Sequence, residues 1–256
     1  MSVCVISQPR FFPGLHYLHR MMVADVFVIF DTVQFTPRHE ENRAKLKTAQ
    51  GLQWLTVPMR QSSREQLILD THVDDSQAWQ RKAGGTLDNL YRHAPYYKTY
   101  APEIISILEA PHQTLPQLDR ASWETALRLL GVTCRFVYAS DLPVSGKGPR
   151  LLLDICKYLG SDVYLSGAFG REYLDVGEFA AEGVEVRFHE YTYPVYPQRF
   201  GDFVPFLSYL DMLFNIGLER DKVLAGGRML SSDGSALAPQ LSPASSAAGS
   251  LDEGIH

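Results

Sequence analysis

A layered α/β architecture, a mainly parallel sheet flanked by helices in a Rossmann-like manner, is what this 256-residue sequence predicts. Three observations predict it. The short β-branched run SVCVI is followed closely by a helical stripe and then by a second apolar run, DVFVIFD, and a strand, a helix and a strand in so few residues imply a right-handed crossover between parallel strands. From Val132 onward, runs of strand length alternate with segments of helical period. A hydrophobic fraction of 45% against 21% charged residues suffices for a buried core.

Taken in order, Ser2 to Ile6 reads as a buried strand closed by Pro9 and Pro13. Leu15, Leu18, Met21 and Met22 form the stripe of the first helix, and Val26 to Phe30 is the second strand. QWLTVP and QLILDTHV are two further extended runs that suit a hairpin or an addition to the sheet. A mainly helical portion spans about 76–131, with breaks expected at Pro95, Pro102, Pro111 and Pro116. TCRFVYA then reads as a strand, and Arg150 to Leu159 as a helix stopped by Gly160. DVYLSG is the next strand, followed by a helix beginning near Arg171 and by the strand VEVRFHEY. A last helix, Val204 to Leu218, carries Phe206, Leu210, Leu213 and Phe214 on one side. The α/β domain is thus expected over 1–222. Residues 223–256, rich in Ser, Ala, Gly and Pro beyond Gly226, are expected to form a disordered tail.

Charge and composition exclude several classes of function. With Lys+Arg 24 against Asp+Glu 29 and no basic run, the chain has no broad electrostatic footprint for duplex nucleic acid or an anionic membrane. No stretch reaches the roughly 18 apolar residues of a membrane helix, and the N-terminus lacks the order of a signal peptide, so a cytoplasmic location is expected. Cys4, Cys134 and Cys156 sit in apolar segments and read as reduced core thiols. The absence of CxxC and HxxxH pairs argues against a metal site, and no motif names a cofactor.

Four segments can carry chemistry, and a fifth can line a pocket. In the loop after the first strand, His16 and His19 stand three apart at the start of a helix, with Arg10 and Arg20 nearby. Imidazole donors, backbone N–H groups and guanidinium groups there suit a phosphate or carboxylate. In DTVQFTPRHEENR, Asp31 ends the second strand and is followed by Gln34, Arg38, Asn42 and Arg43, a set able to supply a base, amide recognition and an anion clamp. Gly146 and Gly148 bracket Lys147 ahead of a helix, and Ser166 and Arg171 flank small residues at a strand end. Tyr193, Tyr196 and Gln198 lie in an aromatic segment suited to lining a pocket. His16, His19 and Asp31 are therefore the candidate catalytic residues.

The motifs QPRFFPxxxY (Gln8 to Tyr17), DVFVIFDTVQF, ENR, QWLTVP, SDLPVSGK, ICKYLGSDVYLSG with REYLD, YPQ and PFLSYLDMLFNIG occur in an order that resembles the WbqC-like protein family, over about Val3 to Gly217. The resemblance implies a shared polar set of Gln8, Asp31, Gln34, Arg43, Lys147, Ser166, Arg171, Gln198 and Asp211. It also implies a setting in O-antigen or other surface-glycan biosynthesis, or in specialised-metabolite pathways. His16 replaces a common glycine of that family, and His19 and Arg10 replace other common types, which marks a branch using histidine chemistry. Three readings of function follow. The first is a biosynthetic transferase moving an acyl or aminoacyl group to an amine, with a small-molecule substrate and a carrier-bound or nucleotide-linked donor. The second is an ATP-dependent, carboxylate-activating enzyme, because His16 and His19 resemble an HxGH signature with Leu18 in the glycine position. The third is a non-catalytic partner in a biosynthetic complex.

Overall fold

The computed structural model describes residues 1–60 and 63–237. In chain order its elements are β1 (Val3–Ser7), α1 (Leu15–Val23), β2 (Val26–Ile29), β3 (Arg43–Thr48), β4 (Gly51–Thr56), β5 (Met59–Arg60), β6 (His72–Val73), α2 (Trp79–Tyr91), α3 (Tyr97–Glu109) and α4 (Leu115–Leu129). They continue as β7 (Arg135–Tyr138), α5 (Gly148–Tyr158), β8 (Val163–Gly167), α6 (Val176–Ala181), β9 (Glu185–Tyr191), α7 (Tyr209–Ile216), α8 (Arg220–Ala225), β10 (Gly227–Leu230) and β11 (Ala236–Leu237). The main sheet has the order β11-β10-β9-β8-β1-β2-β7. Its members from β9 to β7 run parallel, and β10 and β11 extend it antiparallel. The fold is α/β, a mostly parallel sheet flanked by helices.

Strand alternation builds the layers. Val3 and Val5 of β1 and Phe27 and Ile29 of β2 face one core, with α1 and the helices α2, α3, α4 and α7. Cys4, Ile6, Val26 and Val28 face the other, packed by Leu152, Ile155 and Cys156 of α5 and Phe179 of α6. Both faces are covered, as a parallel sheet requires. The chain adds β2 and β7 on one side of β1, then crosses to place β8 and β9 on the other, so the strand order reverses between β1 and β8. Crevices at such reversals, outside the carboxyl ends of the strands, are where open α/β sheets hold ligands.

Several expectations need correction. Part of the segment assigned to a disordered tail is built into the sheet. Val223 of α8 is fully buried, and Met229 of β10 pairs with His189 of β9, its side chain reaching the core. A few bulky residues in a segment poor in them sufficed because a sheet edge was waiting. The remainder of that expectation, 238–256, lies outside the described residues. The helix expected from Val204 to Leu218 is α7, which starts at Tyr209 and is followed by α8, since the backbone N–H groups of Ser208 and Tyr209 donate to the Lys45 and Pro13 carbonyls and hold the preceding segment extended, while the Ser208 hydroxyl caps Leu210. No α-helix begins at Arg171. Residues 168–172 form a single 3₁₀ turn, and α6 waits for Asp175, whose carboxylate accepts from the Gly177 and Glu178 N–H groups. Pro102 lies within α3 without breaking it, and of QLILDTHV only β6 pairs as a strand, with β5. Among the described residues no helix is long and apolar enough to cross a membrane.

Candidate active site

A cavity of about 670 Å³ opens where the strand order reverses. Arg10 reaches it from the loop after β1, His16 and Arg20 from α1, and Gly167, Ala168 and Phe169 from the end of β8. His189, Glu190, Tyr191, Thr192 and Tyr193 come from β9 and the turn after it, and Glu40, Lys45, Phe206 and Arg228 close the rim. His16 and Arg20 share a wall because residues four apart on a helix are neighbours.

The donor inventory fixes the tautomer of His16. Its Nε2 lies 3.1 Å from Arg10 Nη1, and a guanidinium only donates, so Nε2 accepts. In the neutral ring Nδ1 then carries the hydrogen and donates to the Tyr193 hydroxyl oxygen. Burial, and then the charges of Arg10, Arg20 and Lys45, hold the His16 pKa well below its ordinary 6.5, so the ring is uncharged at neutral pH. Arg10 also pairs with Glu40.

Arg20 is buried, at 7% exposure. Its guanidinium lies over the Tyr17 ring at 5.2 Å, Nη2 donates to Ser7 Oγ at 3.3 Å, and Nε is buried with no partner. Burial, and then Arg10, lower its pKa to about 10, which still leaves it charged at pH 7.

His19 turns away from His16. Its Nδ1 lies 2.9 Å from His189 Nε2, and a Cβ on Gly227 would come within 2.0 Å of its ring, so only glycine lets β10 close over it. Burial lowers His19 to about 4 and His189 to about 2, the neighbouring ring adding to the second effect.

The other candidates are scattered. Asp31, 2% exposed, accepts from the Ser140 N–H at 3.0 Å and from its hydroxyl at 2.7 Å, tying β2 to the turn after β7. Gln8 accepts the Tyr17 hydroxyl through its carbonyl. Gln34 and Arg38 are exposed, Asn42 Nδ2 donates to the Val57 carbonyl at 2.8 Å, and Arg43 stacks on Trp54 at 4.2 Å. Lys147 is exposed at the start of α5, and Arg171, also exposed, stacks on Phe188 at 4.1 Å. Ser166 is covered by Gly170, where a Cβ would meet its hydroxyl. Gln198 accepts the Val204 N–H at 2.8 Å and returns a bond to its carbonyl. Asp211 accepts the Tyr91 and Tyr196 hydroxyls. None of these residues lines the cavity. Of the candidate set, Arg10, His16 and Tyr193 meet there. Cys156 is buried beside Cys4, and a shared hydrogen bond and burial push its thiol far up. Among the described residues no group of three or more His, Cys, Asp or Glu is placed to hold a metal ion.

Sequence reasoning gave Arg20 only a secondary part and missed Lys45, Phe169, His189, Phe206 and Arg228. For His189 a signal existed. In β9, Val186 and Phe188 face one core while Arg187, His189 and Tyr191 alternate with them, an unusually polar strand face.

The chain matches the WbqC-like protein family over residues 8–223. It belongs to that family. It is also similar to a Mycobacterium tuberculosis (strain ATCC 25618 / H37Rv) protein described as uncharacterized protein Rv1507c, 32% identical over 222 residues that cover 86% of this chain and 96% of the relative. No solved structure matches the chain. In this WbqC-like chain the matched span supplies Arg10, His16, Arg20 and Tyr193, whereas Arg228 and Gly227 stand beyond it.

Proposed function

We propose that the protein is a biosynthetic transferase that moves an acyl or aminoacyl group to the amine of an amino sugar or a specialised metabolite. One observation carries this reading: His16, an imidazole neutral at pH 7, is bridged to Arg10 and Tyr193 on the wall of a cavity sized for small molecules. In the transfer, the amine nitrogen attacks the donor's carbonyl carbon. The new C–N bond forms, the bond to the leaving group breaks with its electron pair, and the amine proton passes to a base. His16 Nε2 is that base once Arg10 turns from it toward the donor. The Tyr193 hydroxyl, its oxygen accepting from His16, has its own hydrogen to give to the charge developing on the carbonyl oxygen.

The surface-glycan or specialised-metabolite setting that the family resemblance implies agrees with such a reaction. The HxGH-type alternative asks for two imidazoles at one phosphate, and only His16 of that pair lines the cavity. Incubation with acyl and aminoacyl donors and an amino-sugar acceptor, followed by mass spectrometry, tests the proposal. His16→Ala is expected to lower turnover by about 10²–10⁴. Full turnover in both His16→Ala and Tyr193→Phe overturns the assignment.

A further inference from the structure

The floor of the cavity holds a charge that no carboxylate among the described residues answers. Arg20 is nine-tenths buried, its Nε has no partner, and its Nη2 meets only a hydroxyl. Among the described residues no carboxylate forms an ion pair with it; the groups that favour its charged form are tyrosines. A buried guanidinium left without an anion is strongly unfavourable, so its retention beside a cavity points to an anion supplied from outside.

The walls specify the anion's charge. Arg10, Arg20, Lys45 and Arg228 line the space against Glu40 and Glu190, an excess of two positive charges. That excess suits a dianion, which a phosphate monoester is at neutral pH and a single carboxylate is not. The Gly167 backbone leaves the approach open, since a Cβ there would stand 3.8 Å from Arg20 Nη1. At the rim Phe169 is 79% exposed and Phe206 58% exposed, the latter at a φ of +62° beside the Tyr193 ring at 4.6 Å. Two bare phenyl rings next to a cationic floor suit a ligand that carries an apolar or planar body on its phosphate.

We infer that the cavity binds a phosphate monoester group of the donor, with Arg20 seating the phosphate, Arg10 and Lys45 flanking it, and Phe169 and Phe206 holding the attached body. This inference rests on the transferase reading and names the chemical class of its donor.

Titration calorimetry and thermal shift on the full chain test it without turnover, using inorganic phosphate, AMP, UMP and 4′-phosphopantetheine as probes and acetate as the single-carboxylate control. Phosphate is expected to bind and to raise the melting temperature, acetate to bind less well, and affinity for the monoester probes to weaken below about pH 6 as the dianion is protonated. Tighter binding of a nucleotide than of 4′-phosphopantetheine identifies a nucleoside as the body attached to the phosphate, and the reverse order a pantetheine chain. Arg20→Met should fold, as checked by circular dichroism, and weaken phosphate on the order of 10- to 100-fold, with Arg20→Lys between it and the parent. Equal phosphate affinity in parent and Arg20→Met, or no binding of any phosphate probe to the parent, overturns the inference. Phosphate binding that survives in His16→Ala, in a protein that transfers no acyl group, retains this site and rejects the transferase reading alone.

Discussion

Two sides of the same sheet edge bury unpartnered charges of opposite sign, and they dispose of them differently. Beside β1 and β8 stands Arg20. Beyond it, toward β2 and β7, stand Asp119 and Glu41, at 0% and 4% exposure, with both Asp119 oxygens and Glu41 Oε2 lacking hydrogen-bond partners. Burial, and then the nearby Glu41, hold the Asp119 pKa well above its ordinary 3.8, and burial raises Glu41 as well. An acid in that position takes up a proton and ceases to be a charge. Arginine has no such exit at neutral pH, because even a pKa of about 10 leaves it cationic. The acidic side is therefore complete in itself, while the cationic side is complete only with a ligand.

The largest expected effect is on acid stability and belongs to the cationic side. His19 and His189 are neutral in the fold and take protons in the unfolded chain below its ordinary pKa of 6.5. Their contribution is fully present above that pH and is lost as pH falls toward the folded value of about 4 for His19. The His19 shift alone is worth about 3 kcal/mol. Urea denaturation between pH 7 and 4 should show this loss, and His19→Gln should reduce it to the share of His189; a flat parental profile contradicts buried neutral histidines.

Next in size is Gly227→Ala, whose methyl meets the His19 ring. It should destabilise by about 1–3 kcal/mol, at roughly 2–4 °C of Tm per kcal/mol in calorimetry, and should weaken phosphate binding. An unchanged Tm would mean that β10 does not close over His19.

A smaller effect is expected on the acidic side. The folded protein keeps a proton on Asp119 that the unfolded chain gives up above pH 3.8, so ionisable Asp119 lowers stability as pH rises through that window. Asp119→Asn should remove the decline, its advantage growing with pH, and leave phosphate affinity unchanged. A variant that loses phosphate binding would join the two sides into one site. Smallest of all, Lys147→Ala and Arg38→Ala should alter stability by no more than about 0.5 kcal/mol and phosphate affinity by less than about twofold.

Elements whose burial is written as a local period were legible in the sequence. Thus β1, α1, β2, α5, β8 and β9 follow from apolar runs and stripes. The last strands β10 and β11 were not, because their stability comes from open rows of hydrogen-bond partners, on β9 for β10 and on β10 for β11, rather than from their own composition. The start of α7 was missed for a similar reason, since long-range backbone bonds to Pro13 and Lys45 decide it. At the site, Arg10 and His16 were legible from their place after a first strand, and Tyr193 from its aromatic surroundings. Asp31, Lys147 and Ser166 were placed correctly at strand ends or a helix start, whereas Arg171 falls in the 3₁₀ turn after β8. Sequence spacing gives no direction for their side chains, however, and each turns to a local partner, a packed glycine or solvent. Arg20 was hard to weigh because burial of a cation is a tertiary fact.

The stretch recognised as WbqC-like stops at residue 223, yet Arg228 on β10 forms part of the cavity rim. β10 and β11 together end the sheet, and the pair is fastened to the rest of it only along β9, so it is the part most easily exchanged. Exchange of the segment after α8 would re-tailor what the outer half of the cavity admits while the imidazole and the floor guanidinium stay where they are. A lineage of such proteins thus has a built-in route for diversifying its cargo without rebuilding the centre that handles it.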